Sequence, residues 1–185
     1  MPVRPFRIPP PPPDMPRRMR GWYVLTATIV SAIVAAVPMC PVHDPQGRPL
    51  WRVDFVHDGD TVTCIDEANR PRKIRLVGID APELDQAYGR ESRSALATKL
   101  GGGRVRVEGD ARDQHGRLLG TLWVDQRNIN RELVSDGWAW VFGGFHPEPE
   151  LLDAETAARS ARRGLWAGDH PQPPSEWRHA HPSHR

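Results

Sequence analysis

Three short runs of alternating apolar and polar residues follow one another between Trp51 and Asp80, and they limit the possible folds more than any other feature of the sequence. The first run, WRVDFVHDG, carries apolar side chains at every second position, and TVTCID repeats this pattern. The third run, RKIRLVGID, is richer in β-branched residues. A period of two is typical of β-strands, and Asp58-Gly59 between the first two runs is a hairpin signal. The sequence therefore predicts a three-stranded meander.

Past this meander the apolar spacing becomes helical. YGRESRSALATKLGGG predicts a helix that ends at its glycines, and RVRVEGD and RLLGTLWVD predict two more strands. NINRELVSDG indicates a brief helix, and HPEPELLDAETAARSARRGLW indicates a last one whose early acids and late arginines suit the helix dipole. The order β-β-β-α-β-β-α-α predicts an α+β fold over residues 51–167, a five-stranded OB-fold barrel with three helices.

The segments on either side of this domain have a different composition. Residues 1–20 are rich in proline and arginine, and residues 168–185 are rich in proline and histidine without an apolar period. Proline lacks the backbone donor that helices and sheets need, so we expect both segments to be disordered. Residues 43–50 are expected to form a linker.

Residues 21–42 carry no charge and follow the basic sequence RRMR. The apolar centre of this segment, WYVLTATIVSAIVAAV, would span about 24 Å as a helix, less than the ~30 Å of a bilayer's hydrocarbon core. This pattern predicts a signal peptide or a signal anchor, and the sequence leaves open whether the segment is cleaved. The protein is therefore expected to be secreted, or anchored by this segment alone with its domain outside the cytoplasm.

The basic character of the chain does not lie in the predicted domain. Although the isoelectric point is 8.8, residues 1–50 contain six arginines and two aspartates, a net charge of +4. Residues 51–166 contain 17 basic and 19 acidic side chains, a net charge of −2. The overall charge is therefore no argument for a nucleic-acid partner.

Cysteine and histidine usage gives no sign of a disulfide framework or a zinc site. The two cysteines, Cys40 and Cys64, are too few for a framework, and no cysteine or histidine cluster has zinc-ligand spacing. Cys64 alternates with Val62 in a strand pattern, so we expect it to be a buried thiol.

Acidic residues at the ends of two predicted strands suggest a cation site. Asp60 opens the second strand and Asp80 ends the third. Pro82 then forces Ala81 into an extended conformation, which makes its carbonyl available. Two carboxylates and a carbonyl are the ligand type that Ca²⁺ prefers, and ligand type alone also allows Mg²⁺.

Three further charged residues have ordinary explanations when each is taken alone. Arg75 shares a strand face with apolar residues, Arg117 opens the fifth strand, and Glu83 follows Asp80 closely. Together with an oxygen site for a cation, they form a set suited to phosphodiester hydrolysis. Arginines match phosphate oxygens geometrically, and a carboxylate can accept the proton of an attacking water.

The ordered motifs DGDTV, IRLVGIDAPE, YGRES, DQHGR and GLW resemble the staphylococcal-type nuclease (thermonuclease) family across residues 51–166. The resemblance implies an OB barrel with three helices and a Ca²⁺-dependent nuclease. It also implies a role for each matching residue: calcium ligation by Asp60, Asp80 and the Ala81 carbonyl, phosphate contact by Arg75 and Arg117, and general-base action by Glu83. Asp58 belongs to the motif, and we expect it to shape the turn.

The chain departs from the family pattern at several places. Ala81 replaces a threonine, which keeps the carbonyl but removes a hydroxyl. Gln114 and His115 replace a lysine and a tyrosine that grip a terminal phosphate, so these candidate substrate-binding residues are expected to position nucleotides differently. The loop from Leu84 to Ala87 is also short, and weaker non-specific attraction to nucleic acid follows from the domain's negative charge.

The sequence therefore predicts an exported, calcium-dependent, monomeric nuclease that cleaves DNA and RNA with little sequence specificity. The alternative is a non-catalytic OB module that binds single-stranded nucleic acid by stacking and charge. A third interpretation, an anchored interaction protein, has little support because core packing explains most of the tryptophans.

Overall fold

The computed structural model describes residues 42–142 and 148–182, together with Pro16 and Met19. The described strands are β1 (Trp51–Val56), β2 (Thr61–Ile65), β3 (Pro71–Leu76), β4 (Ile79–Asp80), β5 (Arg104–Glu108), β6 (Leu118–Val124), β7 (Arg127–Asn128) and β8 (Trp140–Val141). The described α-helices are α1 (Gly89–Leu100), α2 (Ile129–Ser135), α3 (Pro149–Ser160) and α4 (Pro174–Ala180), and a 3₁₀ turn covers Gly164–Ala167.

Five strands close into a barrel, which confirms the predicted core architecture. β1 pairs antiparallel with β2 and β5, β2 pairs with β3, and β5 pairs with β6. The barrel closes where β3 runs parallel to β6, with Ile74 opposite Leu118 and Arg75 opposite Leu119. β7 extends one edge, and β4 pairs with β8 in a separate two-stranded sheet.

The barrel interior holds the alternating apolar side chains of β2 and β3, whereas Phe55 of β1 is 51% exposed because the strand register shifts between Val53 and Phe55. Val62, Cys64 and Ile74 are fully buried in one apolar cluster with Leu96 of α1 and Leu133 of α2. Desolvation raises the pKa of the Cys64 thiol to about 12, so the predicted buried thiol is confirmed. The helices therefore cap the barrel with apolar faces, as a two-layer fold requires.

One five-residue turn occurs three times, at Asp44–Arg48, Asp66–Arg70 and Asp113–Arg117. In each copy the aspartate Oδ1 accepts the N–H groups of the third and fifth residues, and its Oδ2 accepts Nε of the arginine at the fifth position, all within 3.0 Å. The fourth residue has a positive φ (77°, 58° and 75°), which explains why it is glycine or asparagine. The chain thus uses one local device repeatedly to hold an arginine.

The structure has four helices in its described part, so the prediction of three is wrong. The additional helix, α4, lies in the segment from Gly168 onward for which the sequence predicts disorder. Trp177 explains this difference, because only 7% of its surface is exposed and the ring packs against the rest of the domain. A single buried tryptophan gives no apolar period, so pattern analysis does not detect this helix.

The two N-terminal segments lie almost wholly outside the described residues. This applies to residues 1–20, apart from Pro16 and Met19, and to the predicted signal or anchor segment, of which only Val42 is described. Within the described part of the chain, no helix combines the length and the apolar character needed to cross a membrane.

We predict that the stability contributed by Asp66 depends on pH. Desolvation acts to raise the pKa of this carboxyl, but hydrogen bonds from Arg70 and Arg72 outweigh it and lower the pKa to about 2. Since its unfolded pKa is about 3.9, the stabilisation is complete above about pH 5 and is lost as the pH falls towards 2. Asp66→Asn should therefore cost about 2 kcal/mol at pH 7.

This difference should narrow progressively below pH 4 when both proteins are unfolded by urea at a series of pH values. Asp110→Asn, at an exposed carboxyl, serves as the control and should stay close to the parent throughout. A destabilisation by Asp66→Asn that is the same at pH 3 and pH 7 would contradict the assignment.

Candidate active site

The barrel register brings the two strand-end acids together. Thr61 lies opposite Arg75 in the β2–β3 pair, and the Asp60 carbonyl accepts the N–H of Leu76 at 2.8 Å. After β3 the chain turns and enters β4, which ends at Asp80. Asp60 and Asp80 are only 5% and 4% exposed, so two carboxylates lie side by side in a region where unpaired charge is costly.

Arg75 lies between these carboxylates and pairs with both. Its Nη1 forms an ion pair with Asp60, and its Nη2 donates to Asp80 Oδ1 at 2.7 Å. Desolvation lowers the pKa of Arg75, and the charge on Asp80 acts against that shift. Because arginine starts from a pKa above 12, the guanidinium remains charged. These three side chains form the centre of the site, with one negative charge in excess.

Two hydrogen bonds, one from the backbone and one from a side chain, fix the Asp60 carboxylate in place. Its Oδ2 accepts the N–H of Ala81 at 2.7 Å, and its Oδ1 accepts the Thr61 hydroxyl at 3.0 Å. The Ala81 contact joins residues 21 positions apart in the chain. The Asp80–Ala81 peptide therefore lies directly against the Asp60 carboxylate, one peptide unit before the Ala81 carbonyl.

The Asp58-Gly59 pair shapes the turn before β2. Asp58 Oδ1 accepts the N–H of Asp60 at 3.0 Å, and desolvation raises the pKa of Asp58. A Cβ on Gly59 would overlap the Ser92 hydroxyl of α1 and lie 2.7 Å from the Ala81 Cβ. The glycine is thus required because the turn packs tightly against α1 and the peptide after β4.

The donor set fits a hard cation bound partly by water. Within residues 42–142 and 148–182, no group of three or more histidine, cysteine, aspartate or glutamate side chains forms a metal cluster. Asp60 and Asp80 supply buried carboxylate oxygens, the ligand type that oxygen-seeking ions such as Ca²⁺ prefer. The Ala81 carbonyl and water would complete the shell, since Ca²⁺ takes six to eight oxygens.

Arg117 is held next to this centre by the third copy of the turn. Asp113 accepts its Nε at 2.7 Å and its backbone N–H at 2.9 Å. Desolvation acts to raise the pKa of Asp113, but these hydrogen bonds lower it overall, so the carboxylate stays ionised. Arg117 immediately precedes Leu118, which pairs with Ile74, and its charge is near enough to act on the pKa of Arg75.

Glu83 lies at the rim, where an arginine from the C-terminal helix links it to Asp80. Nη1 of Arg178 donates to Glu83 Oε1 at 2.9 Å and to Asp80 Oδ1 at 3.2 Å. Its Nη2 donates to Asp80 Oδ2 at 2.9 Å. Desolvation acts to lower the pKa of Arg178, but these hydrogen bonds raise it overall. Glu83 and the proposed cation ligand Asp80 are therefore bridged by a single guanidinium group, that of Arg178.

Gln114 and His115 lie at the exposed tip of the Asp113–Arg117 turn. Their side chains contact each other, with Gln114 Nε2 3.3 Å from His115 Nε2, and the backbone N–H of His115 donates to Asp113. Within the described part of the chain, neither side chain forms a hydrogen bond or ion pair with the acidic centre. Their position beside Arg117 is compatible with a substrate that extends away from the barrel.

A closed five-stranded barrel capped by helices, as this chain forms, is the architecture of an OB-fold protein. Residues 73–168 match the family described as "Staphylococcal nuclease homologue". The chain belongs to this family.

Several relatives are named as nucleases. The chain is 42% identical over 129 residues to an "Uncharacterized endonuclease" of Escherichia coli O157:H7, covering 69% of this chain and 84% of the relative. It is 38% identical over 127 residues to an "Uncharacterized endonuclease" of Haemophilus influenzae, covering 69% and 71%. It is 40% identical over 119 residues to "Probable staphylococcal-like nuclease CAN2" of Oryza sativa subsp. japonica, covering 63% and 32%.

Two residues of the site were missed by sequence reasoning. Asp113 carries a signal, because the pattern Asp-x-x-Gly/Asn-Arg recurs at three places in the sequence. Arg178 carries none, because it meets Asp80 across 98 residues of chain from a segment without apolar period. Only the folded arrangement reveals this contact.

We predict that Gly59→Ala destabilises the protein, because the added methyl group must displace the side chain of Ser92 and the methyl group of Ala81. Overpacking of this kind costs about 1–3 kcal/mol, measurable by urea unfolding in the presence of a chelator. Gly103→Ala is the matched control, since its Cβ would have no neighbour closer than 3.7 Å. Equal effects of the two substitutions would argue against the tight packing of the Asp58-Gly59 turn.

Proposed function

We propose that this protein is a calcium-dependent nuclease that hydrolyses phosphodiester bonds of DNA and RNA with little sequence specificity. The observation that carries the proposal is that Asp60 and Asp80 both pair with Arg75, while Glu83 is linked to Asp80 through Arg178. Family membership supports a nuclease in general. The proposal adds to this general activity the identity of the metal ion and the range of substrates.

Each residue of this site has a separate role in the proposed hydrolysis. Arg75 and Arg117 present guanidinium groups that bind phosphate oxygens and stabilise the charge that develops on them. Glu83 is 32% exposed at its side chain, so water reaches it, and its carboxylate takes the proton of the attacking water. Asp60 and Asp80 are buried, and their ion pairs with Arg75, whose side chain is 15% exposed, fix the positions of all three before the substrate arrives.

Asp60, Asp80 and the Ala81 carbonyl would hold the calcium ion, which when bound supplies positive charge that polarises the phosphate. Both carboxylates are pre-positioned, because Asp60 is held by the Ala81 N–H and Asp80 by Arg75. The replacement of a threonine by Ala81 does not affect this role, since the ligand atom belongs to the backbone.

The predicted breadth of substrate follows from which atoms the site addresses. Charged side chains that contact phosphate position a nucleic acid without reading its bases. Both DNA and RNA present the same phosphodiester group, so we propose that both are cleaved by a monomer. Secretion or anchoring through residues 21–42 remains part of this proposal and rests on the sequence pattern alone.

A non-catalytic module that binds single-stranded nucleic acid is the alternative function, because OB barrels bind oligonucleotides through stacking and charge. The charged centre favours the nuclease, since a binding module does not require Glu83 beside two buried carboxylates. Binding that persists in EGTA, together with no cleavage in Ca²⁺, Mg²⁺ or Mn²⁺, would favour the alternative.

We predict calcium-dependent cleavage of a labelled single-stranded oligonucleotide that EGTA abolishes. Glu83→Gln should reduce kcat by about 10²–10⁴-fold, as loss of a general base does. Arg75→Lys keeps the charge but loses the bidentate geometry of the guanidinium, and a reduction of kcat by about 10²-fold or more is expected. Glu67→Gln, at an exposed glutamate, is the control. Full activity in folded Glu83→Gln and Arg75→Lys would refute this function.

We also predict that Asp113 supports cleavage through Arg117. Asp113→Ala releases Arg117 from its two hydrogen bonds and should lower kcat/KM about tenfold, equivalent to about 1.4 kcal/mol of transition-state stabilisation. Asp44→Ala removes the same contacts from the first copy of the turn and should leave cleavage unchanged. If Asp44→Ala lowers kcat/KM as much as Asp113→Ala, the effect is one of general stability.

A further inference from the structure

The segment from Gly168 to Pro182, here termed the C-terminal arm, packs against the residues that precede the N-terminus of α1. Gln86 Nε2 donates to the Gln172 carbonyl at 2.6 Å, while Gln86 Oε1 accepts the N–H of Glu83 at 3.2 Å. Trp177 of the arm lines a cavity of about 260 Å³ together with Tyr88 and Trp140. The arm is thus attached to the same short segment that carries Glu83.

Helix α4 of the arm brings Arg178 to the acidic centre. Its guanidinium engages both oxygens of Asp80, at 3.2 and 2.9 Å, and Glu83 Oε1 at 2.9 Å. About a third of its side chain remains exposed, so the residue lies at the mouth of the site. Arg75 already holds Asp80 from the inner side. The carboxylate of Asp80 is therefore enclosed by two guanidinium groups.

Charge balance explains why an arginine is stable in this position. Asp60, Asp80 and Glu83 are three carboxylates, and Arg75, which pairs with the first two, offsets one of the three charges. Asp58 and Arg117, which also act on Arg75, carry opposite charges. Arg178 supplies a second positive charge and a planar fork that matches the Asp80 carboxylate. A divalent ion at Asp60 and Asp80 would use the same oxygens and would lie close to this guanidinium, where like charges repel strongly.

We propose that Arg178 is a built-in competitor of the divalent cation, so that the C-terminal arm lowers the affinity of the site for calcium. This inference rests on the proposed calcium site. In the absence of the ion, Arg178 neutralises Asp80 and Glu83. When the ion binds, Arg178 leaves Asp80, and Glu83 is released from its ion pair to accept a proton from water. The arm thereby couples availability of the general base to occupation of the metal site.

The test is isothermal titration of CaCl₂ into the full chain without nucleic acid. Arg178→Gln removes the charge and should bind Ca²⁺ about tenfold more tightly, or better, than the parent. Arg178→Lys keeps the charge but not the fork, and should fall between them. Arg52→Gln, which among the described residues loses a 3.5 Å pair with Asp54 on β1, is the matched control and should leave the affinity unchanged.

Calcium affinity that is unchanged or weaker in Arg178→Gln would overturn the proposal. If KM for an oligonucleotide then rose, Arg178 would be assigned to the substrate phosphate instead. Absence of calcium binding by parent and variants alike would also overturn it. Cleavage measured on the same samples separates the two ideas: tighter calcium binding without hydrolysis would uphold the role of Arg178 and refute the nuclease function.

Discussion

The buried ion triad of Asp60, Arg75 and Asp80 is the interaction on which the organisation of this protein depends. Removing three charged side chains from water is costly, and their mutual attraction offsets that cost only when the geometry is well fixed. The closed barrel supplies that geometry, because Arg75 is paired on one side with β2 and on the other with β6. The excess negative charge makes the centre attractive to cations.

The turn before β2 packs closely beside this triad, because Asp58-Gly59 leaves no space for a side chain against α1. The Asp-x-x-Gly/Asn-Arg turn also contributes to the site. Two copies bear on structure alone in the described contacts, while the third places Arg117 beside β3. A generic turn that holds an arginine has become part of the site through its position in the barrel.

Much of the fold could be predicted from the sequence, because strand alternation between Trp51 and Asp80 and the helical spacing after Tyr88 are local signals. The sequence grouped Asp60 with Asp80 by placing Asp80 at the end of the third strand, but β3 ends at Leu76 and Asp80 lies in β4, which pairs with β8 in a separate sheet. Contacts that depend on tertiary docking could not be predicted. The arm is attached by Trp177 and Arg178, and neither residue forms part of a periodic pattern.

A crystal structure of the protein grown with CaCl₂ tests the central claim most directly. The account predicts one calcium ion bound by the Asp60 and Asp80 carboxylates and the Ala81 carbonyl, with Arg178 withdrawn from Asp80. Ordered calcium at another set of residues would contradict the proposed centre. Calcium at the centre with Arg178 still on both Asp80 oxygens would contradict the role assigned to the C-terminal arm.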